Sequence, residues 1–444
     1  MGGHDGVDDA VMDEFAGMAL TPAQPGARAL PGPKAIALAG LVSLAVAMGI
    51  GRFAFTPLLP MMLNDGMIDL PSASWLASAN YLGYMLGALL CTLQPWLWAR
   101  FKGLPSLAYV SLVRAGLAAT GVLTLAMAWQ QPAAWPALRF AAGVTSAVVF
   151  VFTSGWCLSR LARLGVPAWG GLIYVGPGAG IVVSGLFASG MVAWHWTAAT
   201  GWAIFGVLAF VLAAAVWRIL RGGDERLAAL GARATGPASG APALHGREMA
   251  LLTVAYGLAG FGYIITATFL PVIARASLPG SAWLDLFWPI FGFGIMVGAL
   301  LATRVSPRRD FRVLLAICYV IQALGIAASI WSPSLAGFAV GSLLLGLPFT
   351  AITFFAMQEV RRLRPATAAS FMGLLTATYG VGQILGPPLV AVLLRHSRSP
   401  GEGFTLSLEI AAATLLAGAA LYLWMVRVYP VLPSLSADYA AATK

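Results

Sequence analysis

The chain has 444 residues, of which 59% are apolar and only 9% charged, against about 25% charged in an ordinary soluble domain. That composition, with a mean hydropathy of +0.84, excludes a string of soluble domains and points to a chain dissolved in lipid. The net charge of +10 does not indicate a nucleic-acid partner, because the basic residues stand in short loops between apolar runs, a pattern that sets membrane topology.

In chain order, residues 1–34 are polar, rich in Gly and Pro and without periodicity, which predicts a disordered cytoplasmic tail. Its acidic residues, Asp5, Asp8, Asp9, Asp13 and Glu14, are the opposite of the basic start of a secretory signal. Apolar segments then predict spans at 35–60, 74–98, 105–129, 134–159, 168–191 and 194–218. A second six follow at 249–274, 285–303, 312–331, 334–359, 367–394 and 404–427. Between the sixes, residues 219–248 read as a cytoplasmic linker with a short helix near Asp224–Leu230, and 428–444 as a cytoplasmic tail. The expected fold is therefore all-α: twelve transmembrane helices in two six-helix halves, 35–218 and 249–427. Of the 26 Lys and Arg residues, 20 lie in the tails and alternate loops of one side, which places both termini in the cytoplasm. Cys91, Cys157 and Cys318 all fall within apolar segments, so no disulfide framework is implied.

The two halves are related by a repeat. Gly49-Ile-Gly-Arg-Phe-Ala-Phe-Thr-Pro-Leu-Leu-Pro60 returns as Gly260-Phe-Gly-Tyr-Ile-Ile-Thr-Ala-Thr-Phe-Leu-Pro271, and Met85-Leu-Gly-Ala-Leu-Leu90 as Met296-Val-Gly-Ala-Leu-Leu301. Both pairs hold one offset of 211 residues, the mark of a duplicated half-protein. Halves built from membrane segments are typical of secondary transporters, with the substrate site between them. Small residues at Gly83/Gly87, Gly294/Gly298, Gly176/Gly180 and Gly382/Gly386 predict close helix contacts.

These residues carry a family resemblance. Twelve spans in two sixes joined by a basic linker resemble the major facilitator superfamily. The span-one motif, its span-seven copy and Tyr379-Gly-Val-Gly-Gln-Ile-Leu-Gly-Pro387 are similar to the signature of the YbfB/YjiJ-type transporters. The resemblance implies an inner-membrane secondary transporter working by alternating access, proton-coupled and exporting. No cofactor or metal is expected, and the chain is expected to act as a monomer. Gly176-Pro-Gly-Ala-Gly180 resembles the superfamily's antiporter motif but has Ile181 and Leu172 where glycines are usual. Arg139-Phe-Ala-Ala-Gly143 resembles its span-four motif with Ala142 in place of a glutamine, which implies a proton-coupling role for Arg139. The loop after span two keeps Arg100 and Lys102 but lacks the expected aspartate.

Arg52 is the sharpest candidate, because a guanidinium inside the hydrocarbon slab is costly and usually faces the bundle interior or a partner. No carboxylate stands at comparable depth in the first six spans. A planar fork of five donors without a fixed anion suits an anionic substrate group; the alternative is that backbone carbonyls hold it. Tyr263 is its repeat mate. Asn80, Gln383 and Tyr379 complete the expected substrate site, while Gln94 and Gln322 read as helix-to-helix hydrogen-bonding groups. Arg139 is the alternative of a coupling residue or a snorkelling interfacial arginine, and Arg114 reads as a helix-pairing residue. Glu409 is the acidic coupling candidate if buried. Asp285 and Ser74 read as helix caps. His195, between Trp194 and Trp196, reads as an interfacial belt residue.

The resulting expectation is a transporter for a small organic molecule, led by proton-coupled export, with uptake or exchange of a small organic anion at Arg52 as the second reading. An intramembrane enzyme finds no support, since no spacing joins Ser154, Ser159 or His195 into a nucleophile–base pair. A membrane sensor would need a soluble reading domain, and none is legible.

Overall fold

A computed structural model describes residues 31–101, 108–221, 246–278, 280–281, 283–305, 309–364 and 368–430. Among them, twelve helical segments are long and apolar enough to cross a bilayer. Spans one to six are Pro33–Asn64, Leu70–Gln94, Tyr109–Ala126, Trp135–Arg163, Trp169–Ala193 and Ala198–Trp217. Spans seven to twelve are Gly246–Ser277, Leu284–Ala302, Phe311–Trp331, Leu335–Leu363, Phe371–His396 and Pro400–Val428. The expected tail and the short linker helix fall on residues 1–30 and 222–245, outside the described residues.

Local chemistry moves several boundaries. Span two opens at Leu70 rather than 74, because Asp69 accepts the backbone N–H of Ser72 at 2.8 Å and Pro71 fits the first turn. Ser74 is therefore no cap; it lies one turn inside and donates to the Leu70 carbonyl. Asp285 is no cap either. It sits within a short 3₁₀ turn, Leu284–Leu286, and pairs with Arg275 across the loop from span seven. Span six opens at Ala198, after a turn in which His195 takes φ 54° and both Trp194 and Trp196 are exposed.

Small residues then set the packing. A Cβ at Gly83 would overlap the carbonyl of Phe140, and one at Gly143 the carbonyl of Asn80, so spans two and four touch backbone to backbone. Gly298 meets the Leu347 carbonyl in the same way, between spans eight and ten. Gly180 fits against Ala45 and Gly49 of span one, while Gly178, on the same helix, faces Gly292 and Met296 of span eight. Span five is thus smooth on both the face toward its own half and the face toward the other half.

Spans one and seven are the innermost, with 83% and 78% of their apolar windows buried, against 39–56% for the others. The halves meet along spans two and eleven, five and eight, and one and seven. Several hydrogen bonds cross between them toward one face, here called distal, which carries the loops after the odd-numbered spans. Thr56 donates to the Ala267 carbonyl at 3.1 Å, and the Tyr81 and Thr268 hydroxyls are 2.8 Å apart. Ser78 donates to Ile384 at 3.0 Å, and Ser189 lies 3.2 Å from the carbonyl of Asp285. Thr56 and Ala267 are related by the 211-residue repeat itself, so this bond lies where the two halves mirror each other.

At the opposite, proximal face the second half is nailed together by ions. Arg312, fully buried, forks onto Asp310 at 3.0 and 2.8 Å, reaches Glu248 at 2.9 Å and donates to the Tyr429 carbonyl at 2.7 Å. Arg362 reaches Glu248 at 2.8 Å and Glu359 at 2.6 Å. Ends of spans seven, nine, ten and twelve are held by these two guanidiniums.

Candidate functional site

Span one is broken where its mate is continuous. Pro33–Leu44 is α-helical, Ala45–Arg52 winds as a π-helix, and the α-helix resumes at Phe55–Asn64. Span seven runs unbroken as one α-helix from Gly246 to Ser277. The repeat differs at a telling place: Pro57 stands where the copy has Thr268. Proline has no N–H, so the Phe53 carbonyl takes the Thr56 N–H at 3.2 Å and the carbonyls just before it need other donors. Arg139 supplies them from span four, donating to Arg52 at 2.9 Å and to Gly51 at 3.3 Å. The Ser146 hydroxyl lies 2.8 Å from the Ala47 carbonyl and 2.7 Å from that of Ala142, shared between them. Single π-turns inside helices are frequent at functional sites, because they re-aim one side chain; here the turn ends on Arg52.

Arg52 is 3% exposed. It donates to the Gln383 side-chain carbonyl of span eleven at 2.7 Å. The amide of Gln383 in turn donates to the Tyr263 hydroxyl of span seven. Arg52 and its repeat mate are thus joined through one glutamine. No carboxylate pairs with Arg52 among the described residues, and its Nε finds no hydrogen-bond partner there. Aromatic faces take the place of an anion: the guanidinium carbon lies 3.9 Å from the ring centre of Tyr84 and 5.3 Å from those of Tyr81 and Phe53. On the other half, Tyr379 stacks on Tyr263 at 5.7 Å and lies tilted against Tyr256 at 4.8 Å, and Phe349 meets Tyr263 edge-on at 5.1 Å.

Of the residues expected at the site, Arg52, Gln383, Tyr263 and Tyr379 come together. Asn80 does not join them by any hydrogen bond; it donates to the Arg139 carbonyl at 2.9 Å and ties span two to span four. Arg139 is 2% exposed and spent on carbonyls, so it does not snorkel. Glu409, the acidic coupling candidate if buried, is exposed on span twelve. Gln322 bonds the Leu345 carbonyl, and Arg114 bonds the Trp217 carbonyl at 2.8 Å while stacking on that ring. Sequence reasoning passed over Tyr81, Tyr84, Tyr256 and Phe349. The run Asn80-Tyr81-Leu82-Gly83-Tyr84 carried a signal: aromatic residues a helical turn apart, beside a glycine that lets the helix press against its neighbour.

Twelve spans in two halves, closing on a buried polar cluster at their junction, define a transporter of the major facilitator type. The nucleoside transporter NupG superposes with a TM-score of 0.64 at 15% identity, covering 89% of this chain and 99% of that one. A D-xylose-proton symporter superposes with a TM-score of 0.67 at 11% identity, covering 90% of this chain and 98% of that one. At these identities the likeness shows the fold. Residues 44–423 match the family described as "Uncharacterised MFS-type transporter YbfB", and the chain belongs to that family. A curated relative, the chloramphenicol resistance protein of Streptomyces lividans, is 27% identical over 401 residues, covering 85% of this chain and 94% of its own length. The protein is a transporter and not an enzyme.

Proposed function

We propose that the protein carries a small organic anion through alternating access, with Arg52 holding the negative charge and Gln383, Tyr263 and Tyr379 completing the site. The observation that carries this reading is a buried guanidinium at the junction of the halves with no carboxylate partner among the described residues. A guanidinium left so is costly in a dry interior, and a bound anion would compensate it only while the carrier is loaded. Uptake or exchange suits this best, because the empty carrier would have to move an unpaired charge through its closed state. The bias of basic residues supports the proximal face lying in the cytoplasm, as in an inner-membrane protein.

Proton-coupled export is the second reading, favoured by the resistance protein of Streptomyces lividans among the relatives and by the proton symporter among the folds. One experiment separates them. Thermal unfolding of the purified protein is followed against organic anions, cations and neutral compounds including chloramphenicol, with Arg52→Gln alongside. A ligand at 100 times its Kd adds about 2.7 kcal/mol to the folded state. Anions that stabilise the wild type and not Arg52→Gln support the first reading. Stabilisation of both proteins by chloramphenicol or another neutral compound would overturn it in favour of export.

A further inference from the structure

We propose that the central site takes an anion bearing one negative charge on a flat aromatic body, an aromatic monocarboxylate in chemical class. This rests on the reading of Arg52 as the anchor and adds the charge count and the shape of the body.

The charge count follows from how the buried cations are used. Arg139 is spent on the carbonyls of Gly51 and Arg52. Arg312 lies in its ion network with Glu248 and Asp310 at the proximal face. Among the described residues, that leaves Arg52 as the buried guanidinium at the junction with a donor still free, its Nε having no partner. A carboxylate meets a guanidinium through parallel N–H donors, so one carboxylate takes up what Arg52 still offers. A second carboxylate on the same ligand would be buried without a free pair of N–H donors to meet it, since both terminal nitrogens of Arg139 are taken by carbonyls, at high cost.

The body follows from what surrounds that charge. Tyr84 of one half and Tyr379 of the other are half-buried, while Tyr81, Tyr256 and Tyr263 beside them are buried. The aromatic rings near Arg52 that keep exposed surface are therefore those two, one on each half, with the guanidinium already on one face of Tyr84. Tyr379 is backed by Tyr263 and Tyr256 at 5.7 and 4.8 Å, with planes inclined by 22° and 31°, a stack that a further ring can extend. Polar atoms nearby are already used: Gln383 is spent at both ends, and the Tyr256 hydroxyl donates to Thr353 at 3.1 Å. A polyhydroxylated body would bury hydroxyls without partners, at a cost for each one. A ring needs none.

The test uses the full-length purified protein and four probes: benzoate, cyclohexanecarboxylate, benzamide and benzene-1,4-dicarboxylate. Affinities are read from thermal stabilisation against concentration. Benzoate should bind about tenfold or more tightly than cyclohexanecarboxylate, the effect of one or two ring contacts beyond area. Benzamide and the dicarboxylate should not stabilise. In Tyr84→Leu/Tyr379→Leu, the preference for benzoate over cyclohexanecarboxylate should vanish. Equal binding of the two monocarboxylates by the wild type overturns the aromatic body and leaves the anion reading standing. Benzamide binding as well as benzoate overturns the anion reading itself. Tighter binding of the dicarboxylate overturns the single charge, and no stabilisation by benzoate overturns the proposal whole. The wild-type arms decide the matter even where the double variant does not fold.

Discussion

Replacing Gln383 by glutamate would set a carboxylate where the amide carbonyl now lies 2.7 Å from Arg52. The resulting ion pair should keep or raise the melting temperature while removing stabilisation by any anion that binds the wild type. That split, read by thermal unfolding with and without ligand, distinguishes a substrate anchor from a packing arginine. Arg139→Ala should act differently. It leaves the Gly51 and Arg52 carbonyls buried and unpaired, at about 1–3 kcal/mol each, so the melting temperature should fall and transport should fail with it. Arg139→Lys should recover only part, because an ammonium cannot reproduce the spread of two guanidinium donors.

At the scale of elements, the glycines at helix crossings do not have equal standing. Gly143→Ala would place a methyl on the carbonyl of Asn80, backbone against backbone. Nothing there can rotate away, so spans two and four must part, at about 1–3 kcal/mol. Gly190→Ala, in span five with nothing within 4 Å of its added Cβ, should be neutral or stabilising. Comparing the two melting curves checks the assignment. The proximal ion network gives a second expectation. Arg312→Ala leaves the buried carboxylates of Glu248 and Glu359 to share the one guanidinium of Arg362 in a dry setting, a loss of up to about 3–5 kcal/mol. Burial alone pushes the Asp310 carboxyl up, but hydrogen bonds from the Arg312 side chain and backbone, with the charges of Arg312 and Arg362, outweigh it and hold Asp310 below the usual carboxylate range. A depressed carboxyl stabilises the fold above its unfolded pKa and withdraws that support as pH falls through the folded value. Stability should therefore drop below about pH 4, and Asp310→Asn should flatten that limb.

For the molecule as a whole, the distal closure rests on hydroxyls and carbonyls, with Tyr81–Thr268 and Thr56–Ala267 at its centre. A net hydrogen bond of this kind contributes about 1 kcal/mol, so Tyr81→Phe with Thr268→Val should shift the balance toward distal opening by about fivefold. Spin labels at positions 66 and 280, in distal turns of opposite halves, would report it as a growing population of longer distances. An unchanged distribution would show that the lock lies elsewhere, in the small-residue contacts of Gly178 with span eight.

What the chain determined alone is what depends on near neighbours. Apolar runs of bilayer length yielded twelve spans, the repeat related the halves, and small residues at helical spacing marked the crossings, because each is a local period read against a uniform solvent of lipid. Arg52, Gln383 and Tyr263 stood out by residue type and motif, since a polar group in lipid needs a reason to be there. Their bonding to one another joins residues 331 and 120 positions apart and is set by how spans one, seven and eleven pack. The same holds for Asp285, which reads as a cap by position and becomes an ion pair because Arg275 returns beside it. Arg139 reads as interfacial by depth, yet the π-turn before Pro57 draws it inward. Only the tertiary structure decides such partners, because a buried polar atom bonds whichever donor or acceptor the packing brings within 3 Å or so, and sequence distance does not enter.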